Sequence, residues 1–187
     1  MPKVIDEAII FRTVIALLVS HGYEGATTKE IAAISGVNEV TLFRKYGSKA
    51  IMIEKAIEYQ LSNTPLNKLT FTGDLESDLR DIVQAYLDTN HQFGELIPIL
   101  LSEVARNPEL KQSALKLWMN VQVITKIIEQ YQDQGMLKKE PALNSANVLL
   151  GPLMTSLMFQ RANLGLPVPA IDIQDHVNTF LNGKKVI

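Results

Sequence analysis

TTKEIAAISGVNEVTLFRKYGSK, residues 27–49, sets two short helical patterns around a single turn and closes on three cations, Arg44, Lys45 and Lys49. Thr27 and Glu30 form a capping box, in which the threonine hydroxyl accepts from the Glu30 N–H while the Glu30 side chain reaches back to the amide of Thr27. Ile31, Ala32 and Ile34 give the helix that starts here a buried side. Gly36 then stands where a chain leaving a helix commonly needs a positive φ. Only Val37 separates it from Asn38, a good N-cap for a second helix running through Tyr46. Two helices joined by so tight a turn cross at a steep angle, which is the helix-turn-helix geometry.

In the second helix Leu42 and Tyr46 share a face at i and i+4, which leaves Glu39, Val40, Thr41, Arg44 and Lys45 more exposed. That side is short, polar and net basic. It fits a major groove, where small side chains such as Val40 and Thr41 allow close approach to base edges and cations meet phosphates. An ordinary αα-hairpin with solvated charges would explain the same residues about as well in isolation, so the flanking segments decide. Before the hairpin, residues 5–21 carry Ile9, Val14, Ile15, Leu17 and Leu18, a core-facing helix that Gly22 ends. After it, Ser48 caps a further helix with Ile51, Ile53, Ala56, Ile57 and Leu61 on its apolar side. Lys49 falls in the first turn of that helix, against the dipole preference for acids there, so a group outside the helix should favour it, and a phosphate would.

With those flanks in place, HGYEGATTKEIAAISGVNEVTLFRKYGSKAIMIEKAI, residues 21–57, resembles the N-terminal domain of the TetR family of bacterial transcriptional regulators. The likeness lies in the glycine-aromatic stop, the Thr-rich cap, the I-A-x-x-x-G-V step, the T-L-aromatic second helix and the closing Gly-Ser-Lys, and it covers about residues 5–61. It implies that Thr27 and Thr28 touch the DNA backbone, that Thr41 makes a recognition-helix contact, that Lys45 and Lys49 meet phosphates and that Arg44 holds a variable contact position. Phe43 departs from the family's usual tyrosine, so one phosphate hydrogen bond is lost from the pattern. Glu39 is unusual beside DNA. It either accepts from a cytosine amino group or points to solvent, and solvent is the expectation.

The 187 residues are 47% hydrophobic and contain no cysteine, which supports a sizeable core and excludes disulfides and thiolate metal sites. Asp6 and Glu7 precede the first apolar run and no signal-peptide pattern is visible, so a cytoplasmic address is expected. Residues 1–49 hold six cations against five anions, and the remainder twelve against fifteen. Affinity for DNA must then come from a few placed cations, doubled by dimerisation.

The expected organisation is all-α: a three-helix helix-turn-helix DNA-binding domain over residues 1–49, a linking helix over 48–63, and a helical ligand-binding and dimerisation domain over 64–187. In the latter, Asp74 is a plausible N-cap for a helix with Leu75, Leu79, Ile82 and Tyr86 on one face, and residues 95–106 form a short segment bent at Pro98. Asn107-Pro108-Glu109 reads as cap, first-position proline and first-turn acid of a long amphipathic helix with Leu110, Ala114, Leu117, Val121, Ile124, Ile128 and Tyr131 at alternating spacings of four and three, ending at Gly135. Residues 141–160 carry no charge and should form a helix buried on several sides, with Pro152 bending it. The strongly apolar part is short and flanked by Asn144, Ser145, Asn147 and Gln160, so a second protein chain is a better cover than a membrane. A homodimer through this helix and the last one, about residues 170–181, is expected and is also what the resemblance implies.

His21, His91 and His176 are too far apart for a metal-ligand spacing, and no nucleophile elbow, phosphate loop or paired-carboxylate motif occurs, so no catalytic residue, metal or cofactor is expected. Phe93, Trp118, Met119, Met136, Met154, Met158 and Phe159 are candidates to line an apolar effector cavity, although each alone is more often plain core. The function expected is a repressor released from a palindromic double-stranded DNA operator by a small-molecule effector. Two readings compete: a helical enzyme or small-molecule carrier whose helix-turn-helix is purely structural, and a membrane-associated or scaffolding bundle.

Overall fold

The computed structural model describes residues 6–165 and 167–185, and over them the chain is helical with no strand beyond an isolated bridge between Leu137 and Lys185. Its residues divide into two compact units, one holding the chain to Asn63 together with Phe93–Met119, the other Thr64–Gln92 together with the chain from Asn120. The division departs from the linear boundary at residues 63 and 64, because a segment from the middle of the sequence packs with the N-terminal helices.

The first unit contains α1 (Glu7–Gly25), α2 (Thr28–Ser35), α3 (Glu39–Tyr46), α4 (Lys49–Ser62), α6 (Leu96–Val104), a 3-10 turn at Pro108–Leu110 and the start of α7 (Lys111–Asp133). Asp6 caps α1 by accepting from the Ala8 N–H at 3.0 Å. The expected start at Ile5 lies outside the described residues. Ile10, Val14 and Leu18 of α1 meet Ile31 of α2, Leu42 of α3, Met52, Ile53 and Ile57 of α4 and Leu96 and Leu100 of α6 in one apolar core. Phe11 lies 6.0 Å from the Tyr46 ring and 5.3 Å from that of Tyr59, tilted to both as aromatic quadrupoles prefer. Gly22 breaks α1 where the sequence places its stop, at φ 68° and ψ −175°, although one more helical turn follows before Ala26.

Two expectations for this unit are corrected. Pro98 is the third residue of α6, within its first turn, where its missing N–H forfeits no helical bond, so it belongs to the start of the helix and does not interrupt it. Asn107 does not cap α7, whose first helical residue is Lys111. Its side-chain amide donates instead to Glu103 Oε2 at 2.8 Å.

The second unit packs α5 (Leu75–Phe93), the later turns of α7, α8 (Ala142–Ala162) and α9 (Ile173–Lys184) around Leu79, Ile82, Val83, Ile124, Ile128, Tyr131, Leu149, Leu153, Val177 and Phe180. Asp74 caps α5 through the Ser77 N–H at 3.0 Å, as its position before the apolar run predicts. The buried Asp78 carboxylate accepts from the Tyr131 hydroxyl at 2.5 Å and from the hydroxyl and amide of Thr72 at 2.6 and 2.9 Å, so hydrogen bonds compensate its burial. Burial, and then that carboxylate, push the Tyr131 phenol well up. α8 continues as one helix through Pro152. Near the proline, the Leu149 carbonyl accepts from His176 Nε2 of α9 at 2.6 Å.

α8 is long and apolar enough to cross a membrane by composition, yet it is not covered on several sides as the sequence suggests. Ala142, Ser145, Ala146, Leu149 and Leu153 are buried, whereas Leu143, Val148, Met154, Met158 and Phe159 are exposed.

Candidate nucleic-acid interface

Three caps and one left-handed glycine build the hairpin. Thr27 Oγ1 accepts from the Glu30 N–H at 3.2 Å, Asn38 Oδ1 from the Val40 N–H at 2.8 Å and Ser48 Oγ from the Ile51 N–H at 3.2 Å, each replacing a bond that the first turn of a helix cannot make internally. The return half of the capping box is absent, because the Thr27 amide donates to the Gly25 carbonyl at 2.9 Å. Gly36, at φ 66° and ψ 29°, ends α2 in the left-handed conformation that its position requires.

Leu42 and Tyr46 turn inward, so α3 presents Val40, 73% exposed, Phe43, 47% exposed, and both Arg44 and Lys45 on the opposite side. Thr41 is half-buried at the edge of that surface. Thr27 is exposed, and the hydroxyl that accepts from Glu30 still has its own hydrogen to donate. Phe43 offers only a ring face. Among the described residues Arg44 has no hydrogen-bond or ion-pair partner.

The other polar side chains of the set are already engaged. Thr28 Oγ1 donates to Glu39 Oε1 at 2.6 Å, which ties the start of α2 to the start of α3. Glu39 is therefore half-buried and bonded, where the sequence reading sent it to solvent. Lys45 Nζ lies 2.9 Å from Glu7 Oε1, and the Tyr46 hydroxyl donates to the same oxygen at 3.1 Å. The lysine bond, ahead of the tyrosine bond, holds the Glu7 carboxyl below the ordinary carboxylate range, while burial and then Glu7 push the Tyr46 phenol up. Both members of the Lys45–Glu7 pair are more than a third exposed, so water screens the attraction and a stronger anion can displace Glu7.

Lys49 also finds a partner inside the protein. Its Nζ donates to the Tyr23 carbonyl at 2.7 Å and stands 3.9 Å from the centroid of the Tyr23 ring. This partner lies outside the helix, as the position of Lys49 calls for, although it is a carbonyl and a ring of the protein where the sequence reading named a phosphate. Sequence reasoning missed Glu7 and Tyr23 as partners because no local spacing connects them to residues 45 and 49.

The aromatic and methionine set divides between the two units. Phe93, Trp118 and Met119 belong to the first unit, and Met154, Met158 and Phe159 to the second. All but half-buried Phe93 are exposed. Phe159 lines an open groove with Pro152, Thr155, Ser156, Pro167, Val168 and Pro169. A second groove, of about 440 Å³, runs between α8 and α9 past Val148, Leu153, His176 and Phe180 and contains none of the six.

Residues 10–56 match the sequence profile described as bacterial regulatory proteins, tetR family. The chain is 25% identical over 150 residues to the uncharacterised HTH-type transcriptional regulator YvkB of Bacillus subtilis (strain 168), covering 80% of this chain and 79% of that one. In fold it is similar to a TetR family transcriptional regulator from Pseudomonas syringae pv. tomato, with a TM-score of 0.71, 18% identity and coverage of 97% and 98%. It is similar as well to the flavonoid-responsive regulator FrrA, with a TM-score of 0.71, 17% identity and 96% of each chain covered.

Proposed function

Since the chain is a TetR-family transcriptional regulator, we propose that it works as a homodimeric repressor that a small molecule releases from a palindromic operator. One observation carries the reading: α3 is anchored from beneath by Leu42 and Tyr46 and turns Val40, Phe43, Arg44 and Lys45 outward. Thr27 and Thr28 at the start of α2, Thr41 within α3 and Lys49 at the start of α4 border that surface. Phosphates take the Thr27 hydroxyl and the lysines, and Thr28 reaches one when its single hydroxyl hydrogen turns from Glu39, while Val40, Thr41 and Arg44 face base edges. A regulator of this kind meets its DNA in the cytoplasm, and no enzymatic step belongs to the reading.

The exposed apolar residues of α8 support the dimer, because a second copy of α8 and α9 would cover them. Two heads related by a twofold axis then read two half-sites in successive major grooves. Regulation by a small molecule draws on the naming of FrrA as flavonoid-responsive, which belongs to that protein. For release, the effector must prefer the conformation that does not bind DNA, and a coupling of about 1–3 kcal/mol is ordinary. Phe93, Trp118, Met119, Met154, Met158 and Phe159 stay the proposed effector contacts, with Phe159 in its groove the first to probe.

Selection of bound duplexes from a random pool, followed by a screen of small molecules for loss of the selected complex, tests the reading. A palindromic consensus and at least one dissociating compound are expected. Recovery of no duplex at low salt would leave the helical enzyme or carrier in its place.

A further inference from the structure

We propose that Glu103 of α6 is a positioning residue for the DNA contact of Lys49, acting through the backbone of Tyr23. The proposal rests on the DNA-binding reading and adds to it a residue far outside the helix-turn-helix.

The contact begins at the break in α1. Gly22 has φ +68°, and a Cβ built there would lie 2.8 Å from Glu103 Oε1, so a side chain at this position would push the carboxylate from its place. Glu103 fills the space with both oxygens in use: Oε1 accepts from the Tyr23 N–H at 3.3 Å, and Oε2 from the Asn107 side-chain amide at 2.8 Å. No ion pair engages Glu103 among the described residues.

What Glu103 holds is the residue that holds Lys49. The Tyr23 carbonyl accepts from Lys49 Nζ at 2.7 Å, and the Tyr23 ring supports the same ammonium at 3.9 Å. The ring is packed in the core, where Tyr23 is buried, and its phenol is pushed up to about 12 by burial first and then by the Glu109 carboxylate. One of the three ammonium hydrogens goes to the carbonyl, and the others stay available to a phosphate oxygen. A flexible lysine is thus ordered before DNA arrives, and that part of the ordering cost does not fall on binding. Glu103 touches no DNA. It sets the Tyr23 peptide that sets the lysine.

The test uses the full-length dimer and a duplex selected as above, with affinity read by fluorescence anisotropy over a salt series. Glu103→Ala is expected to weaken binding about 5-fold to 10-fold and to flatten log K against log salt by as much as ~0.9 per half-site, the signature of one lost phosphate contact. Glu103→Gln keeps an acceptor for the Tyr23 amide and should stay within about twofold of the parent protein. In a Lys49→Met background, Glu103→Ala should add less than about a twofold loss, because the residue it positions is gone. Equal losses in both backgrounds, an unchanged salt slope or a gain in affinity would each overturn the proposal. Thermal melting of every variant separates these readings from unfolding. If Glu103→Ala melts below the assay temperature, Glu103→Asp replaces it with the same expected and opposing results, since it keeps the charge but withdraws the carboxylate from Tyr23. Failure of the parent protein to bind any duplex would instead strike the DNA-binding reading itself.

Discussion

The two compact units expose opposite kinds of surface. Around α3 the first unit shows a short patch in which Arg44 and Lys45 flank Val40 and Phe43, while the Thr28 hydroxyl and the Glu39 and Glu7 carboxylates are bonded within the unit. Along α8 the second unit shows Val148, Met154, Met158 and Phe159 with no charge between Pro141 and Gln160. A surface of exposed cations suits a polyanion, whose counterions leave as it binds. An apolar helix face suits another apolar face, and water is the wrong neighbour for it. If the first patch recognises DNA and the second joins two copies, as proposed, the two roles can be perturbed separately, since no residue of the first patch belongs to the second.

Breaking the assembly surface should have the largest effect. Met158, 54% exposed on α8, can accept a charge without disturbing the core of its own chain. Met158→Glu would place two like carboxylates at a twofold interface and is expected to give a monomer by sedimentation equilibrium. Operator affinity should fall about 100-fold or more, because two linked heads gain from effective concentration what one head cannot. A dimer that persists with unchanged affinity would show that another face joins the copies.

The recognition surface comes next. Arg44→Ala removes a cation that no described residue engages, so folding stability should hold while binding falls by about 1–3 kcal/mol if its guanidinium reads a guanine. Repeating the selection with the variant should relax one position of the consensus. Loss spread evenly over all sequences would place Arg44 on a phosphate.

A smaller effect is expected where neither surface is touched. Glu140 Oε1 accepts from Lys184 Nζ at 2.7 Å and from Ser145 Oγ at 2.6 Å, and the Lys184 carbonyl accepts from the Lys138 N–H at 2.8 Å, so this cluster clips the end of α9 to the turn before α8. The Lys184 bond first, and then Ser145, hold the Glu140 carboxyl below its ordinary range. Its contribution is complete above the usual carboxylate pKa and disappears as pH falls through the lowered folded value. Glu140→Gln should cost about 1 kcal/mol at neutral pH in chemical denaturation, and the difference from the parent protein should close on acidification. A gap that persists at low pH would assign the effect to packing.

The same contrast explains what was legible in the sequence. The caps at Thr27, Asn38 and Ser48, the left-handed Gly36 and the inward Leu42 and Tyr46 depend on neighbours within four residues, so their spacing carried the information. The partners of Lys45 and Lys49 did not: Glu7 is 38 residues from Lys45 and Tyr23 is 26 from Lys49, and only the packed helices bring them together. α8 was readable as apolar, but hydropathy does not say which side is covered, so its exposed face emerges only when α9 and α7 are in place.

The finest distinction lies within the recognition patch, between its apolar and cationic members. Val40 stands in the first turn of α3 and is exposed, and on the proposed reading the thymine C5-methyl is the apolar feature of a major groove that its methyl groups would meet. Val40→Ala deletes two methyls from an exposed site, so stability should change little and affinity should fall by about 0.8 kcal/mol, on the scale of one buried methylene. Replacing thymine by deoxyuridine at successive positions of the selected half-site removes the DNA methyl alone, leaving every hydrogen-bonding edge and phosphate in place. One position should reproduce the loss in the parent protein and add nothing further in Val40→Ala. If uridine is tolerated everywhere, Val40 serves only to let the helix approach, and sequence discrimination in this patch falls to Thr41 and Arg44.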